Sequence, residues 1–123
     1  MVIRYAVRDD ERQTARADAV IDRLTSDDPG YLSLVVLAET WWVLDRAYSV
    51  PRARRLKFFE ALLDSQELRT ENPDLVRSAL RRTRAGADFA DALVVEAGID
   101  VGCTRVMTFD KRAARHAGMT LIT

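Results

Sequence analysis

Short apolar strands that alternate with helical segments predict an α/β domain, a three-layer arrangement in which a short, mainly parallel sheet is flanked by helices. Two further observations support it. No repeat, low-complexity run or linker divides the 123 residues, so a single domain over 1–123 with one core is expected. The clearest strand candidate, Arg105 to Phe109, also runs straight into an acid, Asp110, before a helical segment. In parallel sheets the ligand site lies outside the carboxyl ends of the strands, where such an acid would sit.

The elements follow in order. Val2 to Val7 is a brief apolar opening, and Asp10 to Leu24 has a helical pattern with Ala15, Ala19 and Leu24 near one face. Asp27-Asp28-Pro29-Gly30 is a turn, and Tyr31-Leu32-Ser33 reads as a short strand that leads into a helix with Ser33 as its N-cap. Tyr48 to Val50 breaks that helix; Pro51 suits the first turn of the next, which runs to about Leu63. Glu67 to Thr70 is a weak strand. Asn72-Pro73-Asp74 is a helix start, with a cap, a proline at the first helical position and an acid at the positive end of the dipole. That helix ends near Arg84, and Gly86 punctuates before a helix over Ala87 to Ile99. After a turn at Gly102 come the strand to Phe109, a short helix from Lys111 to His116, a stop at Gly118 and a last strand from Met119 to Ile122.

Composition narrows the chemistry. Hydrophobic residues at 48% and charged residues at 31% are those of an ordinary folded protein rather than a disordered one. A formal net charge of zero supplies no global field toward nucleic acid or an anionic membrane, so any such contact needs a local patch. The single Cys103 excludes an internal disulfide and a cysteine-based zinc site, and one His116 disfavours a histidine site. A bound metal would therefore take oxygen ligands, as Mg²⁺ and Mn²⁺ do. No apolar run approaches the roughly 18 residues that span a bilayer, and no signal peptide is evident; a cytoplasmic location is the default expectation. Cys103 reads as a small core filler, Trp41 and Trp42 as core or dimer-interface residues, and Arg52, Arg54, Arg55 and Lys57 as an exposed helix face with Phe58 and Phe59 turned inward or to a partner.

Four acids stand out: Glu39, Asp88, Asp91 and Asp110. Glu39 is the only charge from Ser33 to Leu44, and its helical neighbours Val35, Val36, Trp42 and Val43 are all apolar, which predicts a carboxylate inside a core-facing stripe. Such a group is costly unless a metal or a buried arginine compensates it. Asp88 and Asp91 share a helix face, where each alone reads as a structural acid at the dipole, and Asp110 alone reads as a plain N-cap. Together they bring carboxylates from three segments toward one end of the sheet. Clustered carboxylates repel unless a divalent cation lies between them, and such a cluster suits metal-assisted hydrolysis of a phosphodiester. Lys111, Arg112 and Arg115 form a small basic group directly after Asp110, either a solvated helix face or a phosphate contact.

The order of these residues is recognisable: a Glu in an apolar helix, then Ala-Asp-Phe-Ala-Asp-Ala-Leu at 87–93, then Val-Met-Thr-Phe-Asp at 106–110. Nearly the whole chain resembles a PIN-domain ribonuclease, specifically a VapC-type toxin of a bacterial toxin–antitoxin pair. The combination is fairly specific, although no single motif is. The resemblance implies a PIN-like fold, a Mg²⁺- or Mn²⁺-dependent endoribonuclease, a homodimer, and a VapB-type antitoxin that inserts near the active site. By position, Glu39, Asp91 and Asp110 match the family's metal-binding acids, Asp88 a frequent additional acid, and Thr108 a neighbouring polar position. Lys111, Arg112 and Thr108 are the residues expected near substrate phosphates.

One departure concerns the family's first, central strand, which ends in Asp-Thr-Asn or similar just before the Val-Ile-Arg-Tyr segment. Here Met1 directly precedes that segment, so this strand and its metal-binding Asp are expected to be missing. Two expectations compete: a natural start upstream of Met1, or a catalytically inactive PIN-like module that dimerises and binds an antitoxin. A metal-dependent phosphatase of small molecules is a third, weaker reading.

Overall fold

Helices and short strands alternate through residues 23 to 122, the part of the chain that the computed structural model describes. The brief apolar opening over Val2 to Val7 and most of the helix expected over Asp10 to Leu24 lie outside those residues. The chain divides into two compact units, one ending at Glu71 and one beginning at Asn72.

In the first unit, strand β1 (Gly30–Leu32) leads into helix α1 (Leu34–Arg46), followed by α2 (Arg52–Asp64) and strand β2 (Leu68–Thr70). Ser33 follows β1 and caps α1, as its position predicts: its hydroxyl accepts the Val36 amide at 3.1 Å. Strands β1 and β2 pair in parallel, Gly30 opposite Leu68 and Leu32 opposite Thr70. Leu37, Thr40, Trp41 and Leu44 form the buried stripe of α1, spaced for one helix face. Trp41 meets Phe59 of α2 edge to face at 5.5 Å.

Arg55 departs from expectation. It is buried at 7% exposure rather than part of a solvated face. Its guanidinium lies 4.2 Å from the Trp41 ring centre, donates from Nε to the Val50 carbonyl at 3.0 Å and faces the Asp45 carboxylate at 3.6 Å. A buried cation needs such partners, and a helical run of basic residues does not reveal which of them will find them. Arg52, Arg54 and Lys57 are exposed as expected, and Phe59 turns inward.

The second unit holds α3 (Pro73–Arg84), α4 (Phe89–Asp100), β3 (Met107–Thr108), α5 (Lys111–His116) and β4 (Thr120–Leu121). Asn72 caps α3 through its side-chain oxygen, which accepts the Leu75 amide at 3.4 Å, and Pro73 follows at the first helical position. Helix α3 packs against α4 through Leu75, Val76, Ala79, Leu80 and Thr83 on one side and Phe89, Ala92 and Leu93 on the other. Gly86, at φ +120°, permits the turn between them. Gly98 serves close approach instead: a Cβ there would lie 2.9 Å from a Val106 methyl. Strands β3 and β4 pair in parallel, Met107 opposite Thr120 and Thr108 opposite Leu121.

The α/β class with short parallel strands is as expected. Strand β1 has the expected length, one residue earlier, whereas β2, β3 and β4 are shorter than the pattern suggests; the strands fall in two pairs, one in each unit, among the described residues. Helix α4 begins at Phe89 rather than Ala87, because Asp88 is extended (ψ 138°) and caps it. Cys103 is exposed and fills no core. No described helix is long and apolar enough to cross a membrane.

Candidate acidic site

Thr108 ends β3, and its hydroxyl accepts the Asp110 amide at 3.0 Å, which turns the chain into α5. Asp110 then caps α5: its Oδ1 accepts the Arg112 amide at 2.8 Å. Asp88 does the same for α4, its Oδ2 accepting the Asp91 amide at 3.2 Å. Both acids are therefore N-caps, the plain role Asp110 had when read alone; Asp88, expected inside the first turn, instead precedes it. Each cap engages one carboxylate oxygen and leaves the other outside that bond. Acids at helix starts also sit where the dipole favours negative charge.

Asp91 connects the two caps. Asp88 and Asp110 are exposed, whereas Asp91 is half-buried in the first turn of α4. Its carboxyl is held above the usual range, first by burial and then by the charges of Asp88 and Asp110; the Arg112 guanidinium acts in the opposite direction. So the second unit brings Asp88, Asp91, Asp110 and Arg112 within electrostatic reach of one another. Lys111, Arg112 and Arg115 are exposed on α5.

Glu39 lies in the first unit, and its surroundings differ from expectation. The residue is exposed, and so are Val35 at 67%, Val36 at 40% and Trp42 at 58%. The apolar stripe around Glu39 thus faces away from the core, which uses the other side of α1. Two apolar faces on one helix look alike in sequence, and packing decides which one is buried. No desolvation of Glu39 therefore needs compensation, and that part of the argument for a metal falls away. The tryptophans divide accordingly, Trp41 in the core and Trp42 exposed with the Arg46 guanidinium 5.9 Å from its ring centre.

The donors at the acidic site are all hard oxygens, which suits Mg²⁺ or Mn²⁺ in kind. Among the described residues, no group of three or more His, Cys, Asp and Glu side chains converges to hold an ion. A separate cleft of about 530 Å³ in the second unit is lined by Arg82, Ala87, Ala92 and Val95 among others. Its arginine is already paired with Glu96, so the cleft presents mainly small apolar side chains.

The sequence matches the PIN domain family over residues 2 to 119. The chain belongs to that family. No curated protein and no solved structure matches it. PIN domains are generally nucleases that act on RNA, and in this PIN domain the acids at 88, 91 and 110 are gathered at the starts of two helices. Sequence reading missed two residues of this PIN domain. Glu71 holds the start of α1, its Oε1 accepting the Leu34 amide at 2.9 Å, a contact 37 residues apart that no local pattern signals. Phe109 reads only as the end of a short strand but is 79% exposed; the acid that follows it was the available signal that the chain emerges there.

Proposed function

We propose that this PIN domain is the toxin of a VapBC-type pair, a Mg²⁺- or Mn²⁺-dependent endoribonuclease that hydrolyses RNA phosphodiesters. In this reading it acts as a single domain and a homodimer, in the cytoplasm, and a VapB-type antitoxin holds it inactive. The supporting observation is the acidic group of Asp88, Asp91 and Asp110, in which burial and then the two neighbouring carboxylates hold the Asp91 carboxyl above its usual range, inside a chain of a nuclease family. Asp88, Asp91, Asp110 and Glu39 are the proposed metal-binding acids; Glu39 enters on its sequence position alone. The exposed Lys111 and Arg112 are the proposed phosphate contacts, with the Thr108 hydroxyl beside them.

A second reading has its own support. The lack of a converged three-ligand group among the described residues favours a PIN-like module that dimerises and binds an antitoxin without cleaving. One experiment separates the two. The purified protein is melted with and without millimolar Mn²⁺ and incubated with a mixed RNA pool. The nuclease reading expects a higher Tm with Mn²⁺, by mass action, and metal-dependent cleavage. It also expects Glu39→Gln and Asp110→Asn to abolish cleavage while the Glu39→Gln protein without metal melts like the parent, since an exposed carboxylate-to-amide change alters stability by only about 0.5 kcal/mol or less. Absence of both the shift and the cleavage moves the assignment to the binding module.

A further inference from the structure

An exposed aromatic stands beside the acidic site. Phe109 is 79% exposed, between Thr108 at the end of β3 and Asp110 at the start of α5. Its backbone is held on both sides. The Asp110 amide donates to the Thr108 hydroxyl at 3.0 Å, and the Ile122 amide donates to the Thr108 carbonyl at 2.7 Å. Continuing the β3–β4 register by one step sets Ile122 opposite Phe109. Ile122 is 37% exposed and Met107, two residues before Phe109, is 53% exposed.

Single exposed apolar residues are ordinary. Here two of them, Phe109 and Ile122, lie at the carboxyl edge of a parallel pair, where ligands of such sheets bind, next to a charged group. Helix α5 follows at once with Lys111, Arg112 and Arg115 and no acid. A flat aromatic face next to cations is the combination that holds single-stranded nucleic acid: the ring stacks on a base and the cations take the phosphates. A duplex keeps its bases stacked inside and offers the ring nothing. An apolar peptide would fit the ring as well, but it gains little from three neighbouring cations.

We propose that Phe109, with Ile122 opposite it, is a stacking platform for one base of the bound RNA, with Lys111 and Arg112 holding the adjoining phosphates. This rests on the nuclease reading above.

The test is an anisotropy titration of the full chain with a labelled single-stranded oligoribonucleotide and with its blunt duplex, in EDTA so that nothing is cleaved. Phe109→Ala is expected to weaken single-strand binding by about five- to a hundredfold and duplex binding by no more than about twofold, whereas Phe109→Trp retains both. The exposure of Phe109 means that all variants should melt with the parent. Unchanged single-strand affinity in Phe109→Ala overturns the proposal. So does a Phe109→Leu variant that binds as tightly as the parent, since leucine is apolar but cannot stack. If Phe109→Ala leaves RNA affinity intact and lowers self-association, the face belongs to a protein partner and the proposal fails. Parent protein that binds no RNA at all removes the nuclease reading too; parent protein that binds the single strand while Phe109→Ala binds it equally well removes only the platform.

Discussion

Asp91 carries the electrostatic cost of the acidic group. Burial and the neighbouring Asp88 and Asp110 favour its protonated form, with only Arg112 opposing them. A carboxyl whose folded pKa is raised contributes stability that is fully present below the unfolded value of 3.8 and is lost as pH rises through the folded value. At neutral pH without divalent metal, Asp91→Asn should therefore melt modestly higher than the parent. The gain should vanish on acidification toward the ordinary carboxylate range, where the parent is itself protonated. Thermal melts from acid to neutral pH check this, and coincident curves at neutral pH would remove the repulsion. If Mn²⁺ neutralises the group, added metal should reverse the order, stabilising the parent and not the variant. This residue's strain was legible in sequence only as a cluster of acids. Which member bears it depends on which is half-buried, and that is set by the packing of the first turn of α4.

At the scale of elements, short strands are held by their helices' caps. Helix α1 has two at its start, Ser33 directly before it and Glu71 from the far side of β2. The Glu71 amide also donates to the Leu32 carbonyl at 2.8 Å, so one residue joins the β1–β2 pair to the helix that follows β1. Glu71→Ala should cost about 1 kcal/mol, comparable with loss of an N-cap, while Glu71→Gln keeps an acceptor and should cost less. Urea unfolding midpoints measure both; an alanine variant as stable as the parent would mean that water replaces the contact without loss. The caps at Ser33 and Asn72 were readable because each is followed at a fixed spacing by its helix. Glu71 was not, because its partner is distant in sequence.

Across the whole molecule, the exposed face of α1 is the largest departure from the expected interior. Val35, Val36 and Trp42 lie on it around Glu39. A face of this kind fits the proposed homodimer, since exposed apolar patches mark protein contacts. Trp42→Arg should then lower the mass seen in sedimentation from dimer to monomer while the Tm of the monomeric unit is kept. An unchanged mass would take α1 out of the interface.

Local pattern was enough for most of what the described chain does. Caps, prolines and apolar periods located the helices to within a residue or two, and the order of acids between 87 and 110 pointed to the PIN family, because both depend on spacing along the chain. Tertiary structure alone decided burial. It placed Arg55 inside and Cys103 outside, and it turned the Glu39 face of α1 away from the core. The same residues would satisfy either orientation locally. The choice rests on which apolar surface finds a packed partner, and that partner is supplied by residues far away in the sequence.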